Sequence, residues 1–374
     1  MKILIMYLTG IGNTIMYLPA LRILAQQLPE AAIDVLVRHQ ASKEILERLD
    51  YNRRIYVFNP RQQKTVVQKI RFLRALRQER YDVSITTFPA NRAEFNLLSF
   101  GIGAKRRIAC RYEVGYMETL AFLQTEFVAA EVTRHEIEQN LSLLTPLGVN
   151  LLHAERNGGI PLTEPEYDAA ARLLRQAGLN PQDRLVGFHP GCNPAQGNFY
   201  KRWPAKHFAQ LGDQLAETFG AKILIGFGGA EEKPLYAEIA AAMRHPPLIL
   251  ENTAILNTAA LMKQCRLFVA GDSGLMHLAT MLKVPTVALF GPIDAARCAP
   301  LGKADTVIKA DLPCAPCNKY PHYQSGGSYI RCLYHGAQKG YCMQSITVES
   351  VYQTIVRNYA DILTALPTHP HNPK

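Results

Sequence analysis

An α/β protein made of two similar, doubly wound nucleotide-fold domains is what this sequence predicts, and three observations predict it. Short apolar or β-branched runs alternate with amphipathic stretches. The alternation occurs twice, once before about residue 150 and again after about residue 182. A breaker cluster, Asn157-Gly158-Gly159-Ile160-Pro161, lies between the two runs. Strands alternating with helices at this spacing make parallel sheets covered by helices on both faces.

The elements come in this order. Strands are expected at Ile3–Leu8, Ile33–Val37, Val83–Thr87, Leu185–His189, Lys222–Gly226, Leu267–Ala270 and Pro285–Phe290. Helical patterns between them include Thr14–Gln27, Pro204–Phe219 and Leu275–Leu282. After the breaker cluster a helix is signalled by Thr163 as cap, Pro165 and Glu166 in the first turn and Gly178 past the end. A last amphipathic helix, Val348–Leu363, precedes a polar tail, Pro367–Lys374, expected to be disordered. The expected division is 1–157, 158–346, and 347–374 for the last helix and tail.

Composition narrows the function classes. The chain has 374 residues, more than one hydrophobic core usually supports, with 48 % hydrophobic and 19 % charged residues, which excludes a disordered protein. No apolar run reaches the ~18–20 residues of a membrane span. The first apolar run stops at Thr9-Gly10, too short for a secretory signal core, so a cytoplasmic protein is expected. Its net charge of +10 suits an anionic partner: nucleic acid, phospholipid head groups or a phosphorylated substrate.

Glycine turns at strand ends carry the candidate chemistry. The first, Leu8-Thr9-Gly10-Ile11-Gly12-Asn13-Thr14, opens a helix whose exposed amides attract negative charge. A dinucleotide fingerprint needs a third glycine where Ile15 stands, and an acid where Arg38 and His39 come after the second strand. Arg38 suits a 2′-phosphate, which keeps an NADP-linked oxidoreductase as a second reading; a tight turn with no ligand is a third. In the other half, Lys201-Arg202-Trp203-Pro204 places cations at a helix start, either for phosphate or as plain surface charge. Gly226-Phe227-Gly228-Gly229-Ala230-Glu231-Glu232 puts two acids past a turn, where one can bridge ribose hydroxyls or both can balance a helix dipole. Most informative is Gly271-Asp272-Ser273-Gly274-Leu275-Met276-His277, a strand end running straight into a capped helix. Its first amides offer a diphosphate seat, and His277 lies one turn on.

Taken in order, Gly-Ile-Gly-Asn with Leu18-Pro19-Ala20-Leu21, Pro-Gly with Lys-Arg-Trp-Pro, Gly-Gly-Ala-Glu-Glu, Gly-Asp-Ser-Gly-Leu-Met-His-Leu-Ala and Leu-Phe-Gly-Pro resemble the ADP-heptose:lipopolysaccharide heptosyltransferase family, from residue 3 to about residue 360. The resemblance implies a GT-B fold: two Rossmann-like domains facing across a cleft, with the C-terminal helix crossing back to the first. It implies a donor site in the second domain, with Lys201 at the phosphates, Glu231 or Glu232 at the ribose, and Asp272, Ser273, Gly274 and His277 along the diphosphate and sugar. The first domain would hold the acceptor near Gly12, Thr14 and Arg92. The implied reaction is inverting transfer of a sugar, heptose from ADP-heptose, to a cell-envelope glycan, glycolipid or protein, with no metal required for transfer. The family's base is an aspartate in the first glycine turn, and here Asn13 stands there, whose amide takes up no proton near neutral pH. Three readings follow, with an active enzyme in which Asn13 positions the acceptor preferred: Glu94 or His135 serves as the first-domain substitute, positive charge assists the departing phosphate so that a weak base suffices, or the protein is a silent nucleotide-sugar-binding protein.

Two further features stand apart. Cys314-x2-Cys317-x14-Cys332-x9-Cys342 has the spacing of a four-thiolate site for structural zinc or iron, with two disulfides or free thiols as the other options. A basic helix over Arg61–Arg80 alternates cations with Val66, Val67, Ile70, Leu73 and Leu76, which are expected to pack on the sheet. Its cations would otherwise dock an anionic membrane, giving peripheral contact at the cytoplasmic face. No nucleic-acid module accompanies the charge, so nucleic acid is not an expected partner.

Overall fold

The computed structural model describes the chain except residues 60–62, 64, 114, 132, 193–198, 251–253, 318–331, 333, 335–337 and 366–374. The polar tail and the start of the basic stretch therefore lie outside the described residues. The fold divides into two units. Met1–Ile160 together with Ala296–Cys298 belong to the first, and Pro161–Ala295 together with the described residues beyond Cys298 to the second.

The first unit is a six-stranded parallel sheet: β1 (Lys2–Tyr7), β2 (Ala32–Val37), β3 (Arg54–Val57), β4 (Val83–Thr86), β5 (Arg106–Arg111) and β6 (Glu126–Ala129), in the order β3-β2-β1-β4-β5-β6. Helices α1 (Ile11–Gln27), α2 (Gln40–Leu46), α3 (Val66–Gln78), α4 (Ala93–Ile102) and α5 (Glu136–Ser142) connect and cover it. β1 is central and buried on both faces, which explains its unbroken apolar run. The strand order reverses between β1 and β4, opening a crevice beyond their carboxyl ends, where open α/β sheets bind ligands.

The second unit repeats the plan. Strands β7 (Arg184–His189), β8 (Ala221–Ile225), β9 (Leu248–Ile249), β10 (Leu267–Gly271), β11 (Thr286–Phe290) and β12 (Thr306–Lys309) run parallel in the order β12-β11-β10-β7-β8-β9. Its switch point lies between β7 and β10. The remaining helices are α6 (Glu164–Gln176), α7 (Ala205–Phe219), α8 (Lys233–Ala242), α9 (Ile255–Gln264), α10 (Gly274–Met281), α11 (Ala295–Cys298), α12 (Tyr341–Ser345) and α13 (Val348–Thr364). All belong to the second unit except the last three residues of α11. The capping box predicted at Thr163 and Glu166 is present at the start of α6. α13 packs on α7, burying Val351, Ile355, Tyr359 and Leu363 at helical spacing. Hydrogen bonds to Ala304, Thr306 and Thr218 tie it to the second unit. Trp203, 1 % exposed, donates its indole N–H to the Ile346 carbonyl and pins α12 to the same core.

One expected packing surface is corrected. Val66, Val67 and Ile70 on α3 are 69 %, 65 % and 44 % exposed, whereas Leu76 is fully buried. Only the C-terminal turns of α3 meet α4, where the missing side chain of Gly101 admits Leu73; a Cβ there would sit 2.8 Å from a Leu73 methyl. No described helix is long and apolar enough to cross a membrane.

Candidate functional site

In the first unit, β1 ends at the glycine turn and α1 begins at Ile11, with Gly10 as an extended N-cap residue. The amides of Asn13 and Thr14 return to the Gly10 carbonyl at 3.1 and 3.2 Å, leaving those of Ile11 and Gly12 as the orphan donors of the helix start. The Thr14 side chain is buried and bonded to Ser42 at 3.0 Å, so it fastens α1 to α2. Asn13 is half-buried, and its Nδ2 donates to Oε2 of Glu136 at 3.0 Å. The other carboxylate oxygen accepts from Arg297 at 2.9 Å, both side chains being about 95 % buried.

Glu136 is thus brought to the switch point, and the sequence reading missed it. His135, its neighbour, spends Nδ1 accepting the Ile137 amide as the cap of α5. Glu94 opens α4 with a largely exposed side chain, paired with Arg92 at 3.5 Å. Asn140, one turn past Glu136, accepts from the Phe88 amide at 2.8 Å and donates to the Glu136 carbonyl at 2.9 Å, which docks α5 on the end of β4. Arg38 and Arg92 each place a guanidinium 5.9 Å from the Phe95 ring, a cationic rim at the carboxyl end of this sheet.

In the second unit the candidate residues converge more closely. Lys201 Nζ donates to Asp272 Oδ2 at 2.6 Å, each side chain less than a fifth exposed. The carbonyl of Lys201 lies 3.5 Å from where a Cβ on Gly271 would stand, an ordinary contact distance, so the Lys201 segment runs alongside the end of β10. Ser273 caps α10, its Oγ accepting the Met276 amide at 3.3 Å, which leaves the amides that open the helix for an anion. His277, one turn later, is buried.

The two adjacent acids separate cleanly. Glu231 is exposed; Glu232 is 4 % exposed and accepts from the Tyr236 hydroxyl at 2.7 Å. That hydroxyl in turn accepts the Gly228 amide at 2.9 Å, closing a small network inside the β8 turn. Burial, and then the Glu232 charge, push the Tyr236 phenol well above its ordinary value, so it remains a donor. From the β7 end, His189 Nδ1 stands 3.6 Å from Glu232, outside hydrogen-bonding distance, and burial holds its imidazole below the usual value. Gly191 makes room for the carboxylate: a Cβ there would fall 1.8–2.2 Å from its three terminal atoms.

Cys314, Cys317, Cys332 and Cys342 line one small cavity with Tyr200 and Tyr334. None is in a disulfide. Burial, and then the other three thiols, push Cys342 up to about 11. Among the described residues no three His, Cys, Asp or Glu side chains are set to hold a metal ion. The donor set fits a thiolate-bound ion, while the placed sulfurs stop short of coordinating one. Cys110, Cys192, Cys265 and Cys298 are buried, as small apolar residues would be.

Two doubly wound parallel sheets in one chain, with a serine-capped helix start at the second switch point, are the architecture of a GT-B glycosyltransferase. The chain belongs to glycosyltransferase family 9 (heptosyltransferase), whose family model matches residues 69–326. It is 26 % identical over 322 residues to lipopolysaccharide heptosyltransferase 2 of Escherichia coli (strain K12), covering 83 % of this chain and 88 % of that one. Its fold matches the structure of E. coli ADP-heptose lps heptosyltransferase II with a TM-score of 0.72, 22 % identity and coverage of 97 % and 98 %. The bacterial iron-containing dodecameric glycosyltransferase TibC of enterotoxigenic E. coli matches at a TM-score of 0.58 and 11 % identity, over 96 % of this chain and 76 % of that one. The expected GT-B fold is the fold of these heptosyltransferases.

Proposed function

We propose that this chain transfers heptose from ADP-heptose, with inversion, to a saccharide acceptor of the cell envelope, most simply the inner core of a lipopolysaccharide. The observation that carries the donor side is the Lys201–Asp272 pair at the serine-capped start of α10. A diphosphate seated on the Ser273 and Gly274 amides meets the helix dipole and the Lys201 ammonium, which together stabilise the negative charge that grows as ADP departs. Glu232, fixed by Tyr236, is the carboxylate that bridges ribose hydroxyls; Glu231 is the exposed partner. Asp272 orients Lys201, and His277 backs the sugar. The first unit's crevice receives the acceptor, with Arg38 and Arg92 facing its phosphates and Gly12 and Asn13 its reacting hydroxyl.

The cysteine cavity serves, in this proposal, as a closed structural site for zinc or iron, outside the transfer step. Zinc or iron analysis of protein purified without chelator tests it, and an absence of both refutes it. The exposed Val66, Val67 and Ile70, beside Lys69, Arg71 and Arg74, support peripheral contact with an anionic membrane surface at its cytoplasmic face. Binding to anionic vesicles that 0.5 M salt leaves unchanged would refute the electrostatic part.

Calorimetric titration with ADP, UDP, GDP and NADPH tests the donor site. Selective ADP binding is expected. UDP or GDP binding alone removes heptose as the sugar, and NADPH binding alone overturns the transferase site. Donor affinity without acceptor-dependent ADP release would mark a silent binding protein.

A further inference from the structure

We infer that Glu136 is the general base for this transfer, receiving the acceptor hydroxyl's proton while Asn13 orients it. The inference rests on the transfer reading above, because displacement at an anomeric carbon by a hydroxyl releases a proton that some group must take. The crevice at the β1/β4 switch point is where the first unit's topology places a ligand. Among the described carboxylates, Glu136 is the one hydrogen-bonded to the glycine-turn helix start there, its Oε2 meeting Asn13 Nδ2 at 3.0 Å. Glu94 is largely exposed and pairs with Arg92 rather than with the glycine turn, and the His135 Nδ1 is committed to its helix cap. Asn13 itself holds no basic atom; its side chain is half-buried, and its amide bonds the Glu136 carboxylate.

Glu136 is built as a held carboxylate. Arg297 supplies the counter-charge that a buried carboxylate requires, at 2.9 Å. Asn140 bonds the Glu136 carbonyl at 2.9 Å and the Phe88 backbone, so the helix carrying the carboxylate cannot slide along the crevice. A carboxylate oxygen accepts more than one hydrogen bond, so an acceptor hydroxyl can join Asn13 at Oε2. As the acceptor oxygen bonds to the anomeric carbon, the bond from that carbon to the phosphate oxygen breaks. Its electron pair leaves with ADP, and the hydroxyl proton passes to Glu136.

The test measures acceptor-dependent ADP release from ADP-heptose, with heptose-deficient lipopolysaccharide core as acceptor, alongside ADP affinity. Glu136→Gln keeps the shape and should lower kcat by about 10²–10⁴-fold, with ADP affinity unchanged and the acid limb of the pH profile lost. Asn13→Asp/Glu136→Gln returns a carboxylate one side chain away and should recover about tenfold or more of that loss. Glu136→Asp should be slower than the native chain but keep the acid limb. A Glu136→Gln variant within about threefold of native kcat, or with its acid limb intact, overturns the assignment of Glu136 alone. A native chain that releases no ADP with acceptor overturns the transfer reading as well.

Discussion

Replacing Tyr236 by Phe removes one oxygen and tests the donor site at its most buried point. That hydroxyl donates to Glu232 at 2.7 Å and accepts from the Gly228 amide at 2.9 Å, and Tyr236 and Glu232 are 3 % and 4 % exposed. The variant therefore leaves two buried groups short of a partner. Each orphan costs about 1–3 kcal/mol, with the carboxylate at the upper end, and relaxation recovers part of the sum, giving about 2–4 kcal/mol. For a unit of this size each kcal/mol shifts Tm by about 2–4 °C, so the melting temperature of the second unit should fall by about 4–16 °C. The same change frees Glu232 to turn out of the glycine nest, and ADP affinity should fall about tenfold. Because burial, and then the Glu232 charge, keep the phenol protonated, the loss should be equal at pH 6 and pH 9. Thermal unfolding by circular dichroism and calorimetric titration with ADP read the two effects. A Tm within about 1 °C of native refutes the buried network. A large drop in Tm with unchanged ADP affinity keeps the network and refutes Glu232 as a ligand of the ribose.

Three further outcomes are expected. Gly191→Ala drives a Cβ to 1.8–2.2 Å from the Glu232 carboxylate and should cost about 1–3 kcal/mol in denaturant unfolding, with weaker ADP binding; native-like behaviour would mean that Glu232 rests elsewhere. Lys201→Ala removes the cation 2.6 Å from Asp272 and should weaken ADP binding by about 10–100-fold, read by calorimetry. His189 is held below its ordinary value of 6.5 by burial, with Glu232 opposing and Arg202 adding to the shift. The unfolded chain then binds more protons than the folded one just below pH 6.5, so this residue's stability contribution is intact above that pH. It declines as pH falls toward the folded-state value, by at most about 1.4 kcal/mol per pH unit. His189→Asn should flatten the denaturation midpoint between pH 7 and pH 5.5, and an unchanged slope would contradict it.

Local features of the chain were legible in the sequence, and distant pairings were not. The central strands β1, β7, β8, β10 and β11 each carry a buried apolar run because helices cover both their faces, so they could be read directly. β3, β5, β6, the two-residue β9 and β12 are short or bounded by charged residues, carry no such run and were not anticipated. Ser273 and Thr163 announce helix starts through residues three positions away, a range that a local motif spans. The candidate donor residues were accordingly nameable from local motifs, although only packing distinguishes the buried Glu232 from the exposed Glu231. Glu136 escaped because its partners, Asn13 and Arg297, stand 123 and 161 residues away. The apolar side of α3 was visible as periodicity, but periodicity does not say what covers it, and along its first turns α4 does not reach.

The assignment of Ala296–Cys298 to the first unit has a consequence for synthesis. A ribosome completes every strand of the first sheet long before it adds Arg297, which lies 161 residues after Glu136. Until then the nascent unit must either hold a carboxylate inside without its counter-ion, a defect of about 3–5 kcal/mol, or leave α5 undocked. Vectorial folding should therefore stall at a half-finished intermediate, released only when the chain has returned with its cation. A fragment cut at residue 160 would preserve that intermediate permanently, and pulse-labelling its α5 amides beside those of the full chain would display it.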